Sequence, residues 1–351
     1  MSCVDSGMTL EHEEVLVRRG PRSGLPIVVA VHSTALGQAV GGLRMWHYPD
    51  WRDAQADALR LSRGMTYKCA VAGADKGGGK TVVALPEKTD DRVRRAALLD
   101  AADAIDSLGG RYATGPDVGT GEPDMDVIAE RTAHVFCRPA SSGGSGDSSP
   151  HTAAGVVATL RALTGGSVKK RRFAVVGLGR VGGAVATALA ADGADLVLSD
   201  VDQAKRALAA ELGAAWKEPV DALTASVDVL VPAALGGMLT GALVPELHCG
   251  IIAGPANNQL ADEAVADLLH ERGILWAPDY VVGSGGVVNA LAVELDGRSA
   301  AEAAELVEGI GATVAALVDD ARRAGITPAQ AARERAEARL KAAVRVHSGR
   351  D

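Results

Sequence analysis

The chain has 351 residues, of which 47% are hydrophobic, 23% charged and 3% aromatic, with a formal net charge of −8. That much apolar material builds a substantial core and excludes global disorder, and the length suits about two domains. The acidic balance and the scarcity of aromatic rings argue against nucleic acid or an anionic membrane as a partner.

Met1 to Glu14 contains four acids and no apolar core, which is not the composition of a secretory signal. No apolar run approaches the length of a membrane span. Cys3, Cys69, Cys137 and Cys249 are scattered without a Cys-x-x-Cys pair, as expected of a reducing, cytoplasmic setting. Cys69 reads as a small buried residue, because no basic partner to activate it is evident in the sequence.

Val15–Val17 and Pro26–Val31 read as short strands around the turn Gly20-Pro21-Arg22-Ser23-Gly24. Ala54, Ala58, Leu61 and Met65 recur at helical spacing after the start signal Pro49-Asp50. Val93, Ala97, Ala101, Ile105 and Leu108 form a second apolar stripe, and Met125, Ile128 and Ala129 mark a third. Residues 1–140 therefore read as a mixed α/β substrate-binding and oligomerisation domain whose loops carry Gly41-Gly42, Lys68, Lys80 and Asp117.

The Ser/Gly-rich stretch Ser141 to Pro150 is a natural boundary. Beyond it, strands at Phe173–Val176, Leu196–Leu198, Val229–Val231, Ile251-Ile252 and Ile274–Trp276 alternate with helices at Val181–Ala191 and Ala204–Leu212. That alternation predicts an open, mostly parallel, Rossmann-type sheet over residues 141–327. Val287–Leu295, Ala300–Ala324 and Pro328–Val346 read as helices, and the segment 328–351 is expected to return to the first domain.

Gly177-x-Gly179-x-x-Gly182 follows an apolar strand and opens a helix. The first glycine allows a tight turn, the second lets a pyrophosphate approach the backbone, and the third permits close helix–strand packing. Arg180 and Val181 sit at the helix N-terminus, where backbone amides face phosphate. Asp200 ends the next strand, where an acid binds ribose hydroxyls and repels a 2′-phosphate, so NAD is favoured over NADP, with Lys205 and Arg206 as nearby cations.

Gly77-Gly78-Gly79-Lys80-Thr81 is not a phosphate loop, since Ala74 occupies the position of the first glycine. A lysine behind three glycines is unshielded by neighbouring side chains, and a second ammonium at Lys68 would lower its proton affinity. Asp117 lies in the tight loop Gly115-Pro116-Asp117-Val118-Gly119. In isolation Lys80 is also readable as a solvated loop lysine and Asp117 as a turn aspartate bonding its own backbone. Asp124 and Asp126 read as acids at a helix N-terminus. The histidines lack metal-ligand spacing and no Gly-x-Ser-x-Gly elbow exists, so neither a metal centre nor a serine hydrolase is expected.

From about Val31 to Ala290 the chain resembles the Glu/Leu/Phe/Val amino-acid dehydrogenases, on the leucine, valine and phenylalanine branch. The resemblance is carried by His32–Gly37, Gly41-Gly42-Leu43-Arg44, Met65-Thr66-Tyr67-Lys68, Gly77–Lys80, Gly115–Thr120, Ala256–Leu260 and Ala277–Tyr280. It implies two α/β domains with a deep cleft between them. The implied activity is NAD-dependent oxidative deamination of an apolar L-amino acid to its 2-oxo acid and ammonium, and the reverse, by a homo-oligomer. Lys80 and Asp117 would be catalytic. Lys68 would hold the substrate carboxylate with the backbone of Gly41-Gly42. Val40, Met65, Gly115, Pro116, Asn258, Val287 and Ala290 would meet the substrate, with Leu291 near its side chain. Thr152, Ala233, Asn257 and Asn258 would join the fingerprint in holding NAD.

Gly283-Ser284-Gly285-Gly286 departs from the Asn-Ala-Gly-Gly usual in that family, which puts carboxylate anchoring in doubt and leaves Ser284 or a water to substitute. Small residues at Gly115, Gly283 and Ala290 are expected to enlarge one apolar cavity and favour a bulky or aromatic side chain. Two other readings stay open: a diverged dehydrogenase or imine reductase of a biosynthetic pathway, and a non-catalytic nucleotide sensor.

Overall fold

The computed structural model describes residues 10–348; Cys3 and most of the acidic N-terminal segment lie outside the described residues. The chain divides into two units: Ser148–Arg335, and the described residues up to Asp147 together with those from Ala336.

The first unit runs β1 (Glu14–Arg19), β2 (Pro26–Ser33), β3 (Ala39–His47), α1 (Trp51–Val71), β4 (Gly77–Leu85), α2 (Asp91–Asp106), β5 (Tyr112–Pro116) and α3 (Glu122–Ala129). Asp50 caps α1, its carboxylate accepting the Arg52 amide at 2.9 Å. The sheet order is β1-β2-β4-β3-β5, antiparallel from β1 to β4 and parallel across β4, β3 and β5. Alternation along the strands sorts the two faces. Val28, Ala30, Val82 and Ala84 pack with Ala54 and Ala58 of α1. Ile27, Val29, Val31, Leu43, Met45 and Val83 meet Ala97, Leu98, Ala101 and Ile105 of α2 and Met125 and Ile128 of α3. Cys69 is buried in α1, and burial pushes its thiol up to about 12, which leaves it an inert packing residue.

The sequence reading placed Gly41-Gly42, Lys68 and Lys80 in loops; the structure does not. Gly41 and Gly42 lie inside β3, Lys80 inside β4, and Lys68 in the last turn of α1. Asp117 alone follows a strand end directly. Glycine depresses strand propensity, but here its small size is what lets neighbours approach these strands.

The second unit runs α4 (Ser149–Leu163), β6 (Arg172–Val176), α5 (Arg180–Ala191), β7 (Asp195–Ser199), α6 (Arg206–Glu211), β8 (Ala215–Trp216), α7 (Pro219–Leu223), β9 (Val229–Pro232), β10 (Ile251–Ile252), α8 (Ala264–Glu271), β11 (Leu275–Trp276), α9 (Asp279–Val282), α10 (Gly285–Ala290) and α11 (Ala300–Ala324). Ser149 and Pro150, read above as part of the Ser/Gly boundary, open α4 instead. The six strands are parallel in the order β11-β10-β9-β6-β7-β8, the doubly wound arrangement. The helix expected over Val287–Leu295 is α10 followed by a π-helical turn, Leu291–Leu295.

α12 (Pro328–Ser348) begins in the second unit and ends in the first. Its Arg339 donates to the carbonyls of Ala70 at 3.0 Å and Gly73 at 3.2 Å and to the Asp75 carboxylate at 2.6 Å, closing the C-terminal end of α1. Among the described residues no helix is long and apolar enough to cross a membrane.

Candidate functional site

β4 is the middle strand of its sheet and opens with Gly77, Gly78 and Gly79. A side chain at Gly77 would run into the Ser33 carbonyl, one at Gly78 into Thr66 of α1, and one at Gly79 into the Tyr112 ring. These glycines bring the helix and the ring onto the strand. Lys80 follows on the face covered by α1 and is only 5% exposed. Its Nζ lies 2.9 Å from Asp117 Oδ2. Gly42 on the adjacent strand supplies the room: a methyl there would lie 2.7 Å from Asp117 Cβ and 3.2 Å from Lys80 Nζ.

The turn that holds Asp117 is closed by another residue. Thr120 Oγ1 accepts the Asp117 amide at 2.9 Å and donates to the Leu43 carbonyl at 2.7 Å, while Gly119 takes a left-handed φ of 82°. The Asp117 carboxylate is thereby released to bond Lys80, unlike an ordinary turn aspartate.

Arg44 completes the cluster and was given no role in the sequence reading. Its Nε donates to the same Asp117 Oδ2 at 2.8 Å, and its Nη1 donates to Asp57 Oδ2 at 2.7 Å. Asp57, on α1, also accepts the Tyr48 hydroxyl at 2.7 Å and Arg60 Nη2 at 2.6 Å. Arg44 is thus a cation found at the Lys80–Asp117 pair. Within the sequence it closes the motif Gly41-Gly42-Leu43-Arg44, and its partner lies 73 positions away.

Burial pushes the Lys80 ammonium below its ordinary range; Asp117 opposes that shift and Arg44 adds to it. Burial by itself would raise the Asp117 carboxyl, but the Lys80 ammonium and then the Arg44 guanidinium hold it below the usual carboxylate range.

Of the other substrate candidates in this unit, Val40 is fully buried in β3, and Met65 and Lys68 are half-buried on α1. Gly115 and Pro116 end β5. Gly115 does not open a cavity on its β-carbon side: a methyl there would lie 2.5 Å from the Phe136 ring, whose edge occupies that space.

In the second unit Gly177 takes φ 103° at the end of β6, a left-handed turn closed to other residues. A side chain at Gly182 would strike the Gly177 carbonyl, whereas Gly179, at the N-cap of α5, faces open space. Arg180 and Val181 form the first turn of α5. Asp200, just beyond β7, accepts the Leu178 amide at 2.6 Å and so adjoins the glycine turn. Arg206 is paired with Glu218 at 2.7 Å. An uncrowded helix N-terminus with an acid beside it fits a dinucleotide.

Ala233 follows β9, its amide bonding the Val176 carbonyl at 2.8 Å. Asn257 and Asn258 are exposed, and Asn258 takes φ 53°. Gln259 and Asp279 lock this turn to α9: Asp279 accepts the Gln259 amide at 2.8 Å. Thr152 Oγ1 donates to the Ser148 carbonyl at 3.0 Å and accepts the Gly286 amide at 3.1 Å. Val287 is half-buried and Ala290 buried on α10. Ser284 is fully buried and its hydroxyl donates to the Val281 carbonyl at 2.6 Å.

A doubly wound nucleotide fold, joined in one chain to a second sheet bearing a buried lysine–aspartate pair, defines the dehydrogenase class. The family profile described as Glu/Leu/Phe/Val dehydrogenase, dimerisation domain, matches residues 15–134, and the profile described as Glutamate/Leucine/Phenylalanine/Valine dehydrogenase matches residues 198–345. A leucine dehydrogenase of Bacillus cereus is 39% identical over 94% of this chain and 91% of its own. A valine dehydrogenase of Streptomyces virginiae is 42% identical over 94% of each. The crystal structure of L-tryptophan dehydrogenase from Nostoc punctiforme superposes with a TM-score of 0.85 at 35% identity, covering 95% of this chain and 97% of that one. The chain belongs to the Glu/Leu/Phe/Val dehydrogenase family of oxidoreductases.

Proposed function

We propose that this chain is an NAD-dependent amino-acid dehydrogenase that interconverts an apolar L-amino acid with its 2-oxo acid and ammonium. The observation that carries the reading is the buried Lys80 held 2.9 Å from Asp117 in a space that Gly42 leaves open. Bound nicotinamide supplies the acceptor for the hydride that leaves Cα. Lys68 holds the substrate carboxylate. Asp117 takes a proton from the amine as the C=N bond forms. Lys80, as a neutral amine, takes a proton from the water that attacks the resulting iminium carbon; Asp117 returns its proton to the carbinolamine nitrogen, the C–N bond breaks to release ammonia, and the hydroxyl proton passes to solvent to leave the 2-oxo acid. Asn258, Val287 and Ala290 are the substrate contacts from the second unit. Gly177, Gly179, Arg180, Val181, Gly182, Thr152, Ala233 and Asn257 hold the dinucleotide. The similarity to leucine, valine and L-tryptophan dehydrogenases supports an apolar side chain. A homo-oligomer built through the first unit is supported by the dimerisation-domain description of residues 15–134.

The test is a panel of L-amino acids and 2-oxo acids read as NADH absorbance. Turnover of apolar members is the expected result, and no turnover with any member would sink the reading.

The preference for NAD rests on Asp200, with Arg206 already paired to Glu218. Asp200→Ala is expected to narrow the ratio of kcat/KM for NAD over NADP by about tenfold. A wild-type protein that prefers NADP would overturn the assignment.

A second reading, a dehydrogenase specialised for an unusual substrate, is favoured by the departure at Gly283-Ser284, where the Ser284 hydroxyl donates to the Val281 carbonyl. A β-carbon at Gly283 would lie 3.2 Å from the carbonyl oxygens of Asp279 and Pro255, so the backbone must give slightly to accept one. Gly283→Asn is expected to lower kcat/KM for the best substrate by about tenfold and to leave smaller substrates little changed. A gain with every member of the panel would show that Gly283 carries no specificity.

A further inference from the structure

Among the described residues, both bonds to the Asp117 carboxylate fall on Oδ2, from Lys80 Nζ at 2.9 Å and Arg44 Nε at 2.8 Å. Oδ1 takes none. A carboxylate gripped twice on one oxygen from two adjacent strands cannot rotate without breaking both bonds. Arg44 is itself fixed at its far end, because Asp57 accepts its Nη1 at 2.7 Å and is in turn bonded by Tyr48 and Arg60. This places a five-residue chain of alternating charge, Lys80–Asp117–Arg44–Asp57–Arg60, along the α1 face of the sheet.

We propose that Arg44 is a positioning residue for Asp117: with Lys80 it pins Oδ2, so that Oδ1 is the oxygen that exchanges protons with the reacting amine. This rests on the reading of Lys80 and Asp117 as the proton-handling pair. The guanidinium has a second effect. It keeps a positive charge beside Asp117 even while Lys80 is the neutral amine, so the carboxylate is ionised and ready to accept a proton at the start of each cycle. A lysine at position 44 would keep that charge but lose the fork that reaches Asp117 and Asp57 together. The charged and titratable groups around Asp117 are Lys80 from β4, Arg44 from β3, Tyr48 just beyond β3, and Asp57 and Arg60 from α1, which also carries Lys68 in its last turn.

The experiment uses the full chain with Arg44→Met and Arg44→Lys. The Asp117 carboxyl is titrated by carbon-13 NMR of aspartate-labelled protein, its resonance assigned by its loss in Asp117→Asn. Arg44→Met is expected to raise the Asp117 midpoint by about one pH unit and to move the acid limb of kcat upward with it. It should also lower kcat about tenfold while KM for the dinucleotide is unchanged. Arg44→Lys should restore the midpoint but not kcat. If Arg44→Met fails to fold, Arg44→Lys decides: a lowered kcat with an unmoved midpoint supports the pin. Wild-type kcat in either variant, or a folded Arg44→Met with an unmoved Asp117 midpoint, overturns it. The titration needs no turnover, so an inactive wild-type protein would sink the proposed activity while the NMR result still judged Arg44.

Discussion

Lys80→Ala is expected to lower kcat about a thousandfold while the dissociation constant for NAD stays within about twofold of wild type. Lys80 belongs to the first unit and the glycine fingerprint to the second, so binding of the dinucleotide is expected to be a separate property. The size of the effect follows from burial. A solvated lysine is protonated at neutral pH and is a poor base, whereas burial and the Arg44 guanidinium lower the proton affinity of Lys80 against the pull of Asp117. The neutral amine then appears at lower pH than in an ordinary lysine. Oxidative deamination should therefore rise with pH through the Lys80 titration and level off above it, and the rise should vanish in Lys80→Ala. Asp117→Asn should fall comparably, because an amide cannot accept the amine proton. Stopped-flow NADH absorbance and fluorescence titration of NAD give the two quantities. A Lys80→Ala enzyme with near wild-type kcat would remove the lysine from the mechanism.

Gly42→Ala should be nearly as damaging although it removes no functional group. Its methyl would lie 2.7 Å from Asp117 Cβ, 2.8 Å from the Pro116 carbonyl and 3.2 Å from Lys80 Nζ. Two of these are closer than real carbon contacts allow, so the Asp117 turn must move, and a displacement of about 1 Å at a reacting group costs about a hundredfold in rate. The expected pattern is a kcat loss of that size with a melting temperature lowered by a few degrees. A variant that keeps wild-type kcat would mean that the approach of Lys80 to Asp117 is not what the activity depends on.

The second unit was largely legible in the sequence. Phe173–Val176 is an apolar run, Gly177 breaks it, and Val181 onward is helical, so strand, turn and helix each left a local mark. The first unit was legible in its strands and helices at Val15, Pro26 and Ala54, but not at the site. Gly77–Gly79 carry a loop signature, and the Ser33 carbonyl, the Thr66 backbone and the Tyr112 ring, brought in by tertiary packing, explain why a strand needs three glycines there. Gly115 looked like room for substrate because nothing in the sequence says that Phe136 takes the space. Arg44 was marked only as part of the motif Gly41-Gly42-Leu43-Arg44, since its role comes from Asp57 and Asp117, which are close only after the sheet and α1 have assembled. Lys80 and Asp117 were picked out, but that Arg44 also bonds Asp117 shows only in the assembled sheet.

Arg339 grips the end of α1 through the carbonyls of Ala70 and Gly73 and through Asp75. That contact imposes an order on biosynthesis. Domains fold as they leave the ribosome, N-terminal first. The first unit here receives its closing residues only after Ser148–Arg335 has been translated. The bonds from Arg339 therefore join the local cap, in which the Ala72 amide donates to the Lys68 carbonyl at 2.9 Å, only after the last helix has been made.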